Sequence, residues 1–272
     1  MYKFPFQKAL ITGGSSGIGL AVAHTLVENG TNVVLVARDQ KKLSAAKDRL
    51  DECAGGLSHK VDITVVAVDV ADRNMVENLL GPVCMNGAAP DLVVNCAGMV
   101  HPNYFEQIDS EIFDTTVAIN LTGTWNILKC VVPYLKKGSH IVNVSSVAGL
   151  VGVFGYTSYS ATKSGIIGLS EALRNELSLR GIGVSVLCPP DTETPQLAQE
   201  DLTKPKETRA IAGNAGVMKP EKVAQALISG VRRKKFFILP GFHTKIIFYA
   251  KRFVPELVYK IMDRDAKKSS TQ

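Results

Sequence analysis

Cysteine is scarce and scattered, with five residues (Cys53, Cys84, Cys96, Cys130 and Cys188) in a chain of 272. The number is odd and no two form a CxxC pair. Neither a disulfide framework nor a cysteine zinc site is indicated, and a reducing compartment is expected. The five histidines show no ligand spacing, so no metal is expected. No uninterrupted apolar run reaches the roughly 18 residues of a membrane span. A strand-like segment begins by Lys8, which leaves no room for the apolar core of a secretory leader, and none is expected. Internal repeats and low-complexity stretches are absent. The charge excess is modest, a net +6, and much of it lies after residue 230, in Arg232, Arg233, Lys234, Lys235, Lys245, Lys251, Arg252 and Lys260. Such a local patch suits an anionic surface and does not point to nucleic acid as a partner.

What is present is a regular alternation. Short β-branched runs at Ala9–Ile11, Asn32–Ala37, Thr64–Asp69, Asp91–Asn95, His140–Ser145, Gly183–Cys188 and Phe236–Leu239 each have the length of a buried strand. Helix-period segments such as Leu20–Glu28, Lys41–Cys53, Met75–Leu80 and Ser160–Arg180 separate them. Strands alternating with helices force crossover connections, hence a parallel sheet covered on both faces. The expectation is an α/β protein, a single doubly wound (Rossmann-type) domain with a seven-stranded parallel sheet over residues 1–240. Two regions break the pattern. Pro189, Pro190, Pro195, Pro205 and Pro220 punctuate a stretch at 190–220 without clear period, expected to be a substrate loop. Residues 241–272 form a basic, aromatic tail.

After the first strand the chain reads Thr12-Gly13-Gly14-Ser15-Ser16-Gly17-Ile18-Gly19 and opens into a helix. Glycines at this place allow a tight turn and let a pyrophosphate approach the helix N-terminus. At the end of the second strand an NAD site would place an acid against the ribose 2′-hydroxyl. Here the residues are Val36-Ala37-Arg38-Asp39. Arg38 suits a 2′-phosphate, with Ser15 or Ser16 adding hydroxyl donors, which favours NADPH. Asp39 stands one residue away and keeps NAD open.

Tyr159 and Lys163 stand four residues apart at the start of a helical segment, which stacks phenol and ammonium on one face. A fixed cation beside a phenol lowers its pKa, as a general acid/base requires. Tyr156 lacks a lysine four residues on, where Ser160 stands, and reads as a decoy. Ser145-Ser146 ends the fifth strand and Asn95-Cys96-Ala97-Gly98 the fourth.

Together these motifs resemble the short-chain dehydrogenase/reductase family over residues 7–240. Its TGxxxGIG matches Thr12 to Gly19, its NAG-type motif matches Asn95 to Gly98, and its tetrad matches Asn120, Ser146, Tyr159 and Lys163. The resemblance implies that Ser146 and Tyr159 bind the substrate carbonyl and that Tyr159 gives up the proton. Lys163 would bind the nicotinamide ribose, and Asn120 would hold a water of a proton relay. For the cofactor it implies contacts from Gly13, Ser15, Ser16, Gly17, Ile18, Gly19, Arg38, Asp69, Asn95, Ala97, Gly98, Tyr159, Lys163, Pro189 and Thr194. Pro190 departs from the family's Pro-Gly pattern. The run Ile127–Leu135 with Trp125 matches a helix used for subunit contacts, which implies a homodimer or homotetramer.

The stretch Pro189–Pro195 followed by Thr203–Arg209 is similar to a group within that family, the 3-ketodihydrosphingosine reductases of sphingolipid synthesis. Asp191, Glu193, Glu200, Asp201 and Glu207 would attract the ammonium of such a lipid. The rivals are a reductase of another hydrophobic carbonyl (ketosteroid, retinoid or 3-oxoacyl thioester) and a catalytically silent NADP-binding protein. The tail from Phe242 to Met262, apolar but broken by Lys245, Lys251, Arg252 and Pro255, suits a helix lying in a membrane interface. A helix packed on the domain or on a partner subunit is the alternative. The first reading implies a membrane-associated enzyme with its catalytic domain in the cytosol, on the face of the endoplasmic reticulum if the source is eukaryotic.

Overall fold

The structure, a computed structural model, describes residues 5–57, 59–85, 88–213 and 216–270. Residues 1–4 of the expected domain, 214–215 of the expected substrate loop and 271–272 of the tail lie outside the described residues. Strands β1 (Lys8–Thr12), β2 (Asn32–Ala37), β3 (Ile63–Ala67), β4 (Leu92–Asn95), β5 (His140–Val144), β6 (Gly183–Leu187) and β7 (Phe237–Ile238) form one parallel sheet. Its order is β3-β2-β1-β4-β5-β6-β7, the doubly wound arrangement expected from the alternation. β7 is shorter than its apolar run, pairing β6 only through Phe237 and Ile238.

The helices are α1 (Gly17–Glu28), α2 (Gln40–Gly55), α3 (Arg73–Cys84), α4 (Ser110–Val117), α5 (Gly123–Val131), α6 (Val147–Leu150), α7 (Thr157–Ser178), α8 (Pro195–Thr203), α9 (Lys206–Gly213), α10 (Pro220–Arg232), α11 (Phe242–Phe253) and α12 (Pro255–Ser270). Side chains alternate across a strand, so Ile11 and Leu35 enter one core with α1, α2 and α10, while Leu10 and Val34 enter the other with α3 and α5. Burial on both faces explains why the strands read as continuous apolar runs. Acid caps start two of the helices. The Asp39 carboxylate accepts from the Lys42 amide at 3.0 Å, and the Asp72 carboxylate accepts from the Met75 amide at 3.0 Å.

Strand order reverses between β1 and β4, and the crevice beyond their carboxyl ends is where such sheets bind ligands. Two polar ties hold this edge. The Thr12 hydroxyl accepts from the Cys96 and Ala97 amides, each at 3.0 Å. Asn95 donates to Asn143 at 2.9 Å, and Asn143 donates to Ser170 of α7 at 2.8 Å. A buried chain of this kind fixes the register of β4, β5 and α7 relative to one another.

The stretch after β6 is not a bare loop. It folds into α8 and α9, and a parallel bridge between Thr192 and Met218 closes its base. The tail folds as α11 and α12, broken at Val254-Pro255, with α12 packed on α9 and α11 on α6. The expected subunit helix is mostly committed to its own domain. Ile127, Leu128, Val131 and Leu135 are buried, while Trp125 is 47 % exposed.

Candidate active site

The β1–α1 turn makes the floor of the crevice. Gly13 and Gly17 have φ of +66° and +52°, and a Cβ on Gly17 would come within 3.0 Å of the Thr194 side chain. Gly19 permits the helix to sit on the turn, because a Cβ there would lie 2.3 Å from the Gly13 carbonyl oxygen. Ser15 lies in the turn. Ser16 precedes α1 without its hydroxyl capping the helix, and its side chain faces the crevice with Ile18. The first turn of α1 carries no acid. Its N-terminal amides and positive dipole end therefore face the crevice without a competing anion. These bare walls fit a dinucleotide.

Arg38 is the first exposed residue beyond β2. Asp39 is held by the α2 N-terminus, which pulls its pKa down through the Lys42 amide first. Asp69 lies two residues beyond β3, with one carboxylate oxygen accepting from the Ala71 amide at 2.9 Å. On the opposite wall stand Cys96, Gly98, Pro189 and Thr194. The Thr194 hydroxyl accepts from the Leu197 amide to cap α8, and the Pro189 carbonyl accepts from the Val147 amide at 3.0 Å. Pro190 is accommodated, its carbonyl accepting from the Thr192 hydroxyl at 2.8 Å.

Tyr159 and Lys163 line this crevice, Ser146 lines the cavity adjoining it, and Asn120 is buried behind Gly98. Lys163 is fully enclosed, donates to the Val144 carbonyl at 2.9 Å and stands 5.5 Å from the Tyr159 ring centre. Burial pulls its pKa down to about 8. Ser146 caps α6 through the Ala148 amide at 3.1 Å and hydrogen-bonds Tyr159. Asn120 sits in a π-helical turn, Ala118–Thr122, a rare distortion that recurs at functional sites. Its side chain accepts from the Met99 amide at 2.8 Å and donates to the Met99 carbonyl and to Thr162. The amide thus clamps the turn after β4, with Gly98 between it and Lys163.

One expectation is corrected. Tyr159 does not have a lowered pKa. Burial drives it up, the charge of Glu200 adds to this, and the Ser146 hydrogen bond offsets only part. Burial and the nearby acids favour the protonated phenol, a condition that the four-residue spacing to lysine does not reveal.

Beyond Tyr159 opens a second cavity of ≈ 350 Å³, sharing Ile18, Tyr159, Pro189, Thr194 and Gln196 with the cofactor crevice. Its walls are mostly apolar, from Val151 and Val153 near α6 and from Ile246, Ala250, Val258 and Met262 of the tail. Tyr156, read as a decoy, is part of this wall. Its hydroxyl donates to Glu200 at 2.7 Å and its ring lies 5.7 Å from that of Tyr159. Asp191 and Glu200 line the cavity, whereas Glu193 is exposed and Glu207 accepts from the Tyr104 hydroxyl at 3.0 Å. The sequence carries no local signal for Tyr156 or the inner face of the tail, because their meaning depends on contacts far along the chain, and Lys204, though its partners are near in sequence, gives no sign there that it is buried. No cluster expected to hold a metal was found at this site among the described residues.

A doubly wound sheet with a glycine crevice and a serine–tyrosine–lysine group at its edge defines a nicotinamide-dependent oxidoreductase fold. The family profile of the short chain dehydrogenases matches residues 7–205, and the chain belongs to that family. It is 35 % identical over 264 residues to a 3-ketodihydrosphingosine reductase of Dictyostelium discoideum, covering 90 % of this chain and 78 % of the relative. It is 37 % identical over 235 residues to the mouse (Mus musculus) protein of the same name, covering 85 % and 70 %. A short-chain dehydrogenase/reductase from Burkholderia phymatum, solved in complex with NAD, superposes with a TM-score of 0.80 at 24 % identity. That match covers 94 % of this chain and 96 % of the other, and it speaks for the fold.

Proposed function

We propose that this chain reduces the 3-keto group of 3-ketodihydrosphingosine with NADPH, as a step of sphingolipid synthesis. The observation that carries the reading is the apolar cavity that begins at Tyr159 and runs beneath the tail. It suits a ketone bearing one long chain, and the named relatives point to the same substrate. Arg38, exposed beyond β2 while Asp39 is engaged by α2, supports NADPH over NADH.

A nicotinamide held in the crevice would supply the hydride that the carbonyl carbon takes up. Ser146 and Tyr159 hold the carbonyl oxygen, and Tyr159 gives its proton to that oxygen as negative charge develops there. The raised pKa keeps the phenol protonated until then. Lys163 holds a positive charge one turn below, and Asn120 fixes the turn that faces it. Gly13, Ser15, Ser16, Gly17, Ile18 and Gly19 bind the pyrophosphate side, Asp69 the adenine side, and Asn95, Ala97, Gly98, Pro189 and Thr194 the nicotinamide side.

The tail supports a peripheral membrane location. Phe242, Tyr249, Phe253 and Leu257 point outward on the same two helices as the exposed Lys245, Arg252 and Lys260. The catalytic domain would then face the cytosol, at the endoplasmic reticulum in a eukaryote. No helix among the described residues is long and apolar enough to cross a membrane. Exposed Phe113 and Trp125, on α4 and α5, support a homodimer or homotetramer through that face.

The test is NADPH consumption with 3-ketodihydrosphingosine in detergent micelles, wild type against Tyr159→Phe. Turnover by the wild type and a loss of about 10³-fold or more in the mutant is the expected result. A wild type that binds NADPH but leaves this ketone unreduced overturns the substrate.

A further inference from the structure

We infer that Glu200, held between Tyr156 and Lys204 at the head of the cavity, receives the ammonium group beside the substrate carbonyl and so selects α-amino ketones over neutral ketones. The inference rests on the function proposed above and names the residue that would give that site its specificity.

Glu200 stands close to the reacting atoms. Tyr156 donates to its Oε2 at 2.7 Å, and the Tyr156 ring lies beside that of Tyr159 at 5.7 Å. The carboxylate is therefore one side chain away from the phenol that binds the carbonyl. An amine on the neighbouring carbon of the substrate falls in the same part of the cavity.

Charge balance points the same way. Lys204, itself buried, lies 3.7 Å from Asp191, 3.8 Å from Glu200 and 3.2 Å from Asp201. Arg209 adds a second cation 3.8 Å from Asp201. Among the described residues two cations thus face three carboxylates; Lys204 makes its shortest contact with Asp201, which Arg209 also pairs and which is half exposed and does not line the cavity. The uncompensated negative charge stays with Asp191 and Glu200, on the cavity wall. Burial pushes the pKa of both upward, with Lys204 and, for Glu200, the Tyr156 hydrogen bond offsetting part of the rise. A cation arriving from the cavity completes the cluster.

The other acid on the wall is already matched. Asp265 of α12 pairs with Arg264 at 3.1 Å. Asp191 is a third exposed and lacks the tie to Tyr156, so it contributes field and Glu200 the contact. The remaining walls are apolar and take the chain. The ligand class is a primary ammonium next to a ketone on a long hydrocarbon.

The experiment compares kcat/KM for 3-ketodihydrosphingosine with that for its 2-deamino analogue, which carries hydrogen in place of the ammonium. Wild type, Glu200→Gln and Glu200→Asp are measured on the full chain with NADPH. The wild type should favour the amine by about 10- to 100-fold, the span of one charge-assisted hydrogen bond. Glu200→Gln should bring the ratio of the two kcat/KM values to about one, whatever its effect on the rate common to both ketones, and Glu200→Asp should restore most of the preference. A glutamate that only anchors α8 would lower both substrates equally in Glu200→Gln, and that result overturns the inference. So does a preference left intact, or a wild type that turns over both ketones alike. A wild type that reduces neither ketone rejects the proposed function itself.

Discussion

Asp39 and Arg38 exchange roles within one residue of each other. An acid at the end of β2 would mark an NAD site, but the Asp39 carboxylate accepts from the Lys42 amide and serves the first turn of α2. That leaves the Arg38 guanidinium exposed beyond the end of β2, free to meet the 2′-phosphate of the proposed NADPH. Arg38→Ala should raise KM for NADPH by about 10- to 100-fold, the worth of a charged hydrogen-bond pair, and leave KM for NADH nearly unchanged. Steady-state kinetics with both cofactors check this, and an equal rise for both would assign Arg38 a role unrelated to the phosphate. Tyr159, Lys163 and the glycine turn were legible because their spacing is local: four residues along a helix, or a strand, a turn and a helix in sequence. The direction of the Tyr159 pKa was not legible. It is set by burial and by Glu200, whose place beside Tyr156, just before α7, depends on where α8 is folded.

At the scale of elements, α11 and α12 serve two surfaces. Their inner residues Ile246, Ala250, Val258 and Met262 line the substrate cavity, and Phe242 and Phe253 are 72 % and 71 % exposed. Of the two alternatives for the tail, packing on the domain is what the structure shows, and membrane contact is the proposal that its aromatic, basic outer side supports. Its hydropathy pattern was mixed because apolar residues face both ways, which blurs a single stripe. In 190–220 the start of α8 is local, a Thr194 cap followed by Pro195, whereas the packing of α9 on α12 is a tertiary contact that no local pattern shows. The double variant Phe242→Ser, Phe253→Ser removes side chains that contact mainly solvent. Each Phe is worth about 1.5–3 kcal/mol when taken out of water. Binding to vesicles of mixed neutral and anionic phospholipid should weaken by at least tenfold, with melting temperature unchanged. Cosedimentation reads the first and thermal circular dichroism the second. Unaltered pelleting would remove the tail from membrane contact and leave it solely as a cavity wall.

Across the whole molecule, the edge of the sheet opposite the active site carries its own titrating group. His140 opens β5 and is buried, with Nε2 2.8 Å from the Ser185 hydroxyl. Ser185 gives its own proton to the Lys235 carbonyl at 2.6 Å, so it accepts from the imidazole, and the proton of neutral His140 is assigned to Nε2. Nδ1 faces Gly183, where even a Cβ would stand 2.2 Å away, so a second proton has little room or solvation there. Burial, with help from the charge of Lys234, lowers the His140 pKa to about 4. The unfolded chain titrates this group near about 6.5. Between those values the unfolded state carries the extra proton, so stability falls as pH drops from about 6.5 to about 4 and is complete above that window. At pH 5 the loss from this group alone is about 2 kcal/mol, from linkage between the two pKa values. His140→Gln keeps a donor for Ser185 and removes the titration. Urea unfolding of wild type and mutant at pH 7.5 and pH 5 measures the difference. The mutant should be less stable than wild type at pH 7.5, where the ring packing is lost, yet lose about 2 kcal/mol less on acidification. Equal acid losses in the two proteins would mean that His140 protonates in the folded state without penalty, and that the acid sensitivity of the fold arises elsewhere.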